Sequence, residues 1–258
     1  MRDFHAHSNY SDGRFLAAMI EAAESAEIAG IGIADHCSVS GRELPSAERA
    51  TFGFNLDLTY GRRRRGIERL REGADVEVYD AVEMDYDPRD ETAIEAFLDE
   101  AGFEYAVGSV HELDGRNVQQ PGAFADESEA ALDDLVDRYF GKLVALVESE
   151  LFDVAAHPDL IERTPPLRGR ATAEHYRRAA RAFAASRTVP EINAGRAGAG
   201  IVHPAEEFRD ALRERGVAFT LGSDAHAPEE VGERAPFLAE RRDGDGIEAV
   251  SPPGLDRC

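Results

Sequence analysis

The stretch LDDLVDRYFGKLVALV, residues 132–147, repeats apolar side chains at i, i+3, i+4 and i+7 over about four helical turns. This spacing predicts an amphipathic helix whose apolar side packs on a sheet or on a barrel wall. The segment before it, 104–110, and the segment after it, 154–156, both have the composition of strands. A strand, a helix and a second strand in this order indicate a parallel βαβ unit.

The same alternation runs along most of the chain. The predicted strands are 2–4, 31–34, 76–82, 104–110, 154–156, 189–192 and 217–221, and the predicted helices are 16–28, 58–71, 91–100, 132–147, 172–185 and 205–215. This order favours parallel strands covered by helices, as an open doubly wound sheet or as a closed barrel. We expect the stretch around Gly41, Pro45 and Gly53 to be irregular, and the clustered arginines of helix 58–71 to be solvent exposed.

Composition restricts the class of protein. The chain has 258 residues and a formal net charge of -22, which excludes a basic groove for long nucleic acid. No linker divides it, so we predict one domain over 1–240 and a loosely ordered C-terminal tail over 241–258. Its 29 basic residues include a single lysine. Such an acidic, arginine-rich composition is typical either of a saline cytoplasm or of a GC-rich genome, and composition does not separate these two.

The location of the protein is predicted from what its sequence lacks. The N-terminus has no signal-peptide pattern, and no stretch approaches the roughly 18 apolar residues of a membrane span. We therefore expect a cytoplasmic protein with no membrane partner; nothing in the sequence indicates its oligomeric state. The cysteines, Cys37 and Cys258, are too few for a disulfide framework.

Most of the histidines follow predicted strands. Six of the eight, together with three carboxylates, lie at or just past strand ends: His5, His7, Asp12, His36, Glu83, His111, His157, Asp224 and His226. His5 and His7 alternate in an extended chain and so project to one side. Parallel strands end at one rim, which is where βα barrels build their active sites. Histidine and carboxylate ligands suit Zn, Mn or Fe, and nine of them imply two or three ions.

Four ordered motifs identify a family resemblance. The segments Asp3-Phe-His-Ala-His7 with Ser11-Asp-Gly13, Ala34-Asp-His36, Ser109-Val-His111 and Ser223-Asp-Ala-His226 resemble the polymerase-and-histidinol-phosphatase (PHP) superfamily over residues 3–232. Further segments are similar to its histidinol-phosphate phosphatase branch: Val82-Glu-Met-Asp-Tyr86, His111-Glu-Leu-Asp-Gly115, His157-Pro-Asp-Leu-Ile161 and Glu191-Ile-Asn193.

The resemblance implies a distorted seven-stranded (β/α)7 barrel with three divalent metal ions. It assigns His5, His7 and Asp224 to the first ion, Glu83 to a bridge between the first and second, His111 and His157 to the second, and Asp12, His36 and His226 to the third. Asp35 and Asp3 are expected to orient histidine rings. Residues expected to act in catalysis are Glu83, Asp224, His226 and Asp35.

The implied function is a phosphomonoesterase of the histidinol-phosphatase type, active in histidine biosynthesis. Its substrate would be a small phosphorylated metabolite, attacked by a metal-activated water. Arg163 and Arg196 are expected to bind phosphate, and His203 to line the pocket. Loops 37–57 and 113–125 would contact the leaving group. The alternatives are a phosphoesterase acting on nucleotides or oligonucleotide ends and a non-catalytic metal-binding module.

Overall fold

The computed structural model describes residues 1–244 and 246–257. Its strands are β1 (Arg2–Ala6), β2 (Gly30–Cys37), β3 (Glu77–Asp85), β4 (Tyr105–Ser109), β5 (Glu112–Leu113), β6 (Arg116–Asn117), β7 (Val154–Ala155), β8 (Val189–Arg196), β9 (Ile201–His203) and β10 (Thr220–Gly222). Its α-helices are α1 (Leu16–Ser25), α2 (Glu43–Phe52), α3 (Tyr60–Arg71), α4 (Glu91–Ala101), α5 (Glu129–Glu148), α6 (Ala173–Ala185), α7 (Glu206–Arg213) and α8 (Pro228–Gly244).

Seven parallel strands form the wall of the barrel. They are hydrogen-bonded in the order β1-β2-β3-β4-β7-β8-β10, which follows the order of the chain. The last strand returns beside the first, because the His7 amide donates to the Ala225 carbonyl over 2.8 Å and the Asp224 amide to the His5 carbonyl over 2.7 Å. The predicted (β/α)7 barrel is therefore confirmed, and the open doubly wound sheet is not the solution that the chain adopts.

The helix that dominates the sequence pattern is α5, which the structure extends to Glu129–Glu148. The Ser128 side chain caps its start by accepting a hydrogen bond from the Ala131 amide over 3.3 Å. Leu135, Val136 and Phe140 on its apolar face are buried in the main core cluster. This burial holds α5 against the barrel wall, as its hydrophobic spacing requires.

Two local predictions are wrong. The stretch expected to be irregular contains α2, because Pro45 lies in its first turn, where no backbone amide is needed, and Gly53 ends it with a φ of 73°. The arginines of α3 are not all solvated, since Arg63 has 0% of its surface exposed. Its guanidinium donates to Asp35 over 2.9 Å and to Asp80 over 2.7 Å, and these partners make burial possible.

Residues on both sides of the predicted boundary at 240 make backbone contacts, and the division into one domain and a loosely ordered tail stays a prediction. Helix α8 continues across the predicted boundary at residue 240 to Gly244. The Phe219 amide then donates to the Glu248 carbonyl, and the Val250 amide to the Phe219 carbonyl, each over 2.8 Å. Cys37 is a buried free thiol, whereas Cys258 lies outside the described residues. Among the described helices, none has the length and apolar character needed to cross a membrane.

Candidate metal centre

The carboxyl ends of the barrel strands bring all nine predicted ligands to one rim. His5 lies in β1, His36 in β2 and Glu83 in β3, and the remaining six lie in the loops that follow β1, β4, β7 and β10. Seven of the nine form three overlapping groups, within each of which the donor atoms lie within 4.8 Å of one another. The groups are His5, His7 and Glu83; His7, Asp12, His36 and His226; and His36, Glu83 and His111.

Glu83 is the centre of this arrangement. Its side chain is 1% exposed, and five histidine rings surround the carboxylate. The nitrogen-to-oxygen distances are 2.8 Å for His36, 3.1 Å for His157, 3.4 Å for His5 and 3.5 Å each for His7 and His111. Ser109 donates a short hydrogen bond from its hydroxyl to Oε1. The Glu83 carboxylate therefore lies close to histidines that are predicted to bind different ions.

Asp224, which belongs to none of the three groups, lies beside them. Asp224 Oδ1 lies 3.4 Å from His7 Nε2 and 3.8 Å from His226 Nδ1. On the outer side, His226 Nε2 lies 3.3 Å from Asp12 Oδ1. The residues form one continuous network, so the division into separate ion sites remains a prediction.

The titration of these groups reflects their mutual charges. Burial alone would raise the pKa of Glu83, but the charges of His36, His5 and His111 outweigh it and hold this pKa well below its usual range. Burial likewise opposes protonation of His36, yet Glu83 and Asp12 raise its pKa to about 10. For His7 and His157 burial prevails and lowers the pKa of each ring to about 4.

The donor set fits divalent cations. Glu83 Oε2 is buried without a hydrogen-bond partner, although His36 Nδ1 is 2.8 Å away, and His157 Nδ1 is buried without one as well. Buried polar atoms are normally satisfied, so such orphaned acceptors fit the binding of a cation. Imidazole nitrogens and carboxylate oxygens are ligands that Zn, Mn and Fe accept.

Two carboxylates that the sequence analysis did not assign orient the histidine rings. Glu191 in β8 has no exposed surface, and its Oε1 lies 2.8 Å from His5 Nδ1. Asp85 Oδ1 lies 2.7 Å from His111 Nδ1. Such outer carboxylates set the tautomer and orientation of a ligating ring. The spacing of Asp85, two residues after Glu83 on the same face of β3, was a signal in the sequence that could have identified it.

The structure places Asp35 and Asp3 against backbone amides and serine hydroxyls, so the roles predicted for these two carboxylates stay predictions. Among the described residues, Asp35 makes no direct hydrogen bond to an imidazole. Its carboxylate accepts hydrogen bonds from the Ser8 amide and hydroxyl, over 2.7 Å each, and from the Ser11 hydroxyl over 2.6 Å, and this hydroxyl lies 3.4 Å from His7 Nδ1. The Asp35 side chain is fully buried and is also paired with Arg63. Asp3 accepts from the backbone amides of His5 and Ser223, over 3.2 and 2.9 Å. Both carboxylates therefore fix backbone amides, and Asp35 also fixes the two serines of the loop that follows β1.

Of the three residues predicted to bind substrate, two line the cavity beside the ligands. This cavity has a volume of about 370 Å³, and Arg163 and Arg196 form part of its wall together with His157 and Asp224. The prediction for His203 is wrong, since its ring is fully buried and lies behind Arg163, whose Nε donates to His203 Nε2 over 3.0 Å. His175, on α6, lies away from the centre and accepts a hydrogen bond from the Thr172 amide.

A second cavity, of about 210 Å³, adjoins the first. The two share Asp12, His36, His111 and Gln119. Apart from Asp85, the rest of the second wall comes from the loops predicted to contact the leaving group, including Glu48 and Phe54. Asn117 Nδ2 donates to Glu48 Oε1 over 2.9 Å, and the Phe54 ring stacks at 19° to His36 with 6.3 Å between centroids.

A histidine and carboxylate centre at the carboxyl-end rim of a (β/α)7 barrel defines the class as metal-binding barrel proteins. The chain belongs to the PHP domain family, whose model matches residues 3–195. A second model, described as PHP-associated, matches residues 205–243. The resemblance drawn from the motifs is thus confirmed.

Proteins named as histidinol phosphatases are similar to this chain in sequence or in structure. A protein of Deinococcus radiodurans named a probable histidinol-phosphatase is 32% identical over 168 residues, a match that spans 64% of the length of each protein. The histidinol phosphatase candidate of Listeria monocytogenes superposes with a TM-score of 0.75 at 18% identity, covering 92% of this chain and 99% of that one. The histidinol phosphate phosphatase of Lactococcus lactis, solved with zinc, L-histidinol and phosphate, gives 0.74 at 18% identity, covering 98% and 97%.

Proposed function

We propose that this protein is a metal-dependent phosphomonoesterase that releases phosphate from a small alcohol phosphate of the histidinol phosphate type. The observation that carries the proposal is a pair of guanidinium groups, Arg163 and Arg196, in the wall of a cavity that six of the candidate metal ligands also line. Guanidinium groups and metal cations together favour a phosphate dianion. The Deinococcus and Lactococcus relatives, by their names, act on such a substrate.

The residues that would hold divalent ions are the nine at the rim, and we propose three ions, of Zn, Mn or Fe. When bound, such ions supply Lewis acidity, lower the pKa of water and stabilise charge on a transferred phosphoryl group. Glu83 would bridge two of them, because its carboxylate lies within 3.5 Å of histidines from several ligand sets. Asp224 and His226 would act at the same face of the cavity, which they line.

The substrate would span the two adjoining cavities. With phosphate beside Arg163 and Arg196, the alcohol would extend past His36 and His111 into the second cavity. There the Glu48 carboxylate suits a cationic group, and Phe54, stacked on His36, suits a flat ring. L-Histidinol, which the Lactococcus structure holds, has both features.

The test is phosphate release by the purified protein loaded in turn with Zn, Mn and Fe. We expect release from L-histidinol phosphate with a higher kcat/KM than from an aryl phosphate. A 3',5'-bisphosphonucleotide serves as the third substrate, and a higher kcat/KM on it would move the assignment to nucleotides. Absence of phosphate release from all three, with every metal, would contradict a phosphomonoesterase.

A further inference from the structure

A buried chain of three side chains runs from the interior to the cavity beside the metal centre. Asp159, which follows His157, and His203, at the end of β9, both have no exposed surface. Asp159 Oδ1 lies 2.6 Å from His203 Nδ1, and His203 Nε2 lies 3.0 Å from Nε of Arg163. These residues come from three separate segments that converge behind the cavity wall.

The chemistry of arginine determines which nitrogen of His203 carries the proton. A guanidinium has only donors, so Arg163 Nε must donate and His203 Nε2 must accept. The ring proton then belongs on Nδ1, where it is donated to Asp159. The other oxygen of Asp159 accepts from the Ala205 amide over 2.6 Å, so both of its oxygens are used. These hydrogen bonds therefore hold the ring in one orientation, with its proton on Nδ1.

Further contacts fix the other end of Arg163. Its Nη2 donates to Asn193 Oδ1 over 2.9 Å and to Asp224 Oδ2 over 3.2 Å. Among the described residues, Nη1 has no hydrogen-bond partner, and the side chain lines the cavity. The imidazole nitrogen that accepts from Nε restrains the guanidinium. A carboxylate at position 203 would also accept this hydrogen bond, but its negative charge would offset that of the guanidinium.

We propose that His203, oriented by Asp159, is a positioning residue that holds Arg163 with Nη1 directed at the substrate phosphate. This inference rests on the proposed function, because the group that Nη1 would contact is the phosphate of the proposed substrate. The contacts that link Asp159, His203 and Arg163 explain why a histidine is suited to position 203. Its ring is rigid, it can donate at one nitrogen while it accepts at the other, and it adds no charge in its neutral form.

The kinetic test compares His203→Phe and His203→Gln with the wild-type protein, with His175→Phe as the matched control outside the centre. Loss of the acceptor in His203→Phe should raise KM for the phosphomonoester about tenfold while kcat and metal content stay near wild type. His203→Gln should recover part of this, because its Oε1 can accept from Arg163. Adding His203→Phe to Arg163→Ala should raise KM little further.

Nuclear magnetic resonance tests the same claim without any substrate. Nitrogen-15 shifts of His203 should show the proton on Nδ1, and the Arg163 Nε proton should exchange more slowly in wild type than in His203→Phe. These readouts remain valid if the protein releases no phosphate, so failure of the proposed function and of this inference are distinguishable. A proton on Nε2, or unchanged exchange in His203→Phe, overturns the inference.

A third variant covers the case in which His203→Phe does not fold. Asp159→Asn replaces the charged acceptor by an amide that cannot satisfy both His203 and the Ala205 amide. We expect a mixture of ring tautomers, faster exchange of the Arg163 Nε proton and a rise in KM smaller than for Arg163→Ala. A single Nδ1–H tautomer with wild-type exchange and KM in this variant would overturn the role of Asp159.

Discussion

Arg63 Nη1 donates a hydrogen bond to Asp35 Oδ2 over 2.9 Å, and neither side chain has any exposed surface. Nη2 of the same guanidinium donates a hydrogen bond to Asp80 Oδ1 over 2.7 Å. Asp35 in turn holds Ser8 and Ser11, in the loop that leads from His7 to Asp12. A helix on the outside of the barrel is thus linked through one ion pair to a loop at the metal centre.

Replacement of Arg63 by methionine should destabilise the fold by about 3–5 kcal/mol, because two buried carboxylates lose a charged partner. Urea unfolding of the metal-free protein measures this difference. Arg65→Met is the matched control, on an exposed position of the same helix, and should change the free energy of unfolding by less than about 0.5 kcal/mol. Equal stability of the two variants would mean that the buried pair contributes nothing.

Glu83→Gln should impair the protein more than loss of any single histidine ligand, because the amide removes the charge that faces five imidazoles. We expect loss of metal and a fall in kcat/KM of at least about 100-fold, beyond that typical of an outer-shell partner. Elemental analysis and steady-state kinetics, with His111→Ala for comparison, check this. Near-normal turnover would show that Glu83 is not a bridge.

Metal binding should release protons at neutral pH. In the metal-free protein the pKa of His36 is about 10, so its ring is protonated at pH 7.5 and must lose that proton to bind a metal. The apparent affinity should therefore rise with pH up to about 10. Calorimetry in buffers of different ionisation enthalpy counts the protons, and His36→Gln should release about one fewer. The same proton count in both proteins would contradict protonation of His36.

Arg163→Ala and Arg196→Ala should each leave metal content unchanged and lower kcat/KM for a phosphomonoester by about 1–3 kcal/mol in transition-state terms. The larger effect is expected at Arg163, because Asn193 and Asp224 hold it in place. Lysine should restore only part, since it provides charge without the planar fork. Arg215→Ala, at an exposed position after α7, is the control. Wild-type kinetics in both alanine variants would refute the phosphate contact.

Glu48→Gln should raise KM for L-histidinol phosphate and leave an aryl phosphate unaffected. The carboxylate lies in the second cavity, where it would meet the cationic part of the alcohol. Glutamine keeps the hydrogen bond from Asn117 and removes only the charge. A cost of about 1 kcal/mol, or roughly fivefold in kcat/KM, is expected for a half-buried ion pair. An equal change for both substrates would place Glu48 outside the leaving-group site.

Much of the fold follows from local patterns in the sequence. The alternation of apolar runs with amphipathic helices specifies parallel strands in chain order, because each element must bury one face. That the nine candidate ligands lie together could also be predicted from the sequence, since the carboxyl ends of parallel strands share one rim and a residue near a strand end must lie there. Helix α2 escaped prediction, because Pro45 is compatible with a first helical turn but is also typical of a loop.

The partner of each buried charge was decided by the tertiary structure alone. Arg63 and Asp35 are 28 residues apart, and His203 and Asp159 are 44 apart. A solvated arginine and a buried one have the same local sequence pattern, and so do a histidine that lines a cavity and one that lies behind its wall. Desolvation permits a buried charge only where packing supplies a counter-charge and hydrogen bonds. Those partners come from distant segments, so the fold had to bring them together before the roles of Arg63, Glu191 and His203 were defined.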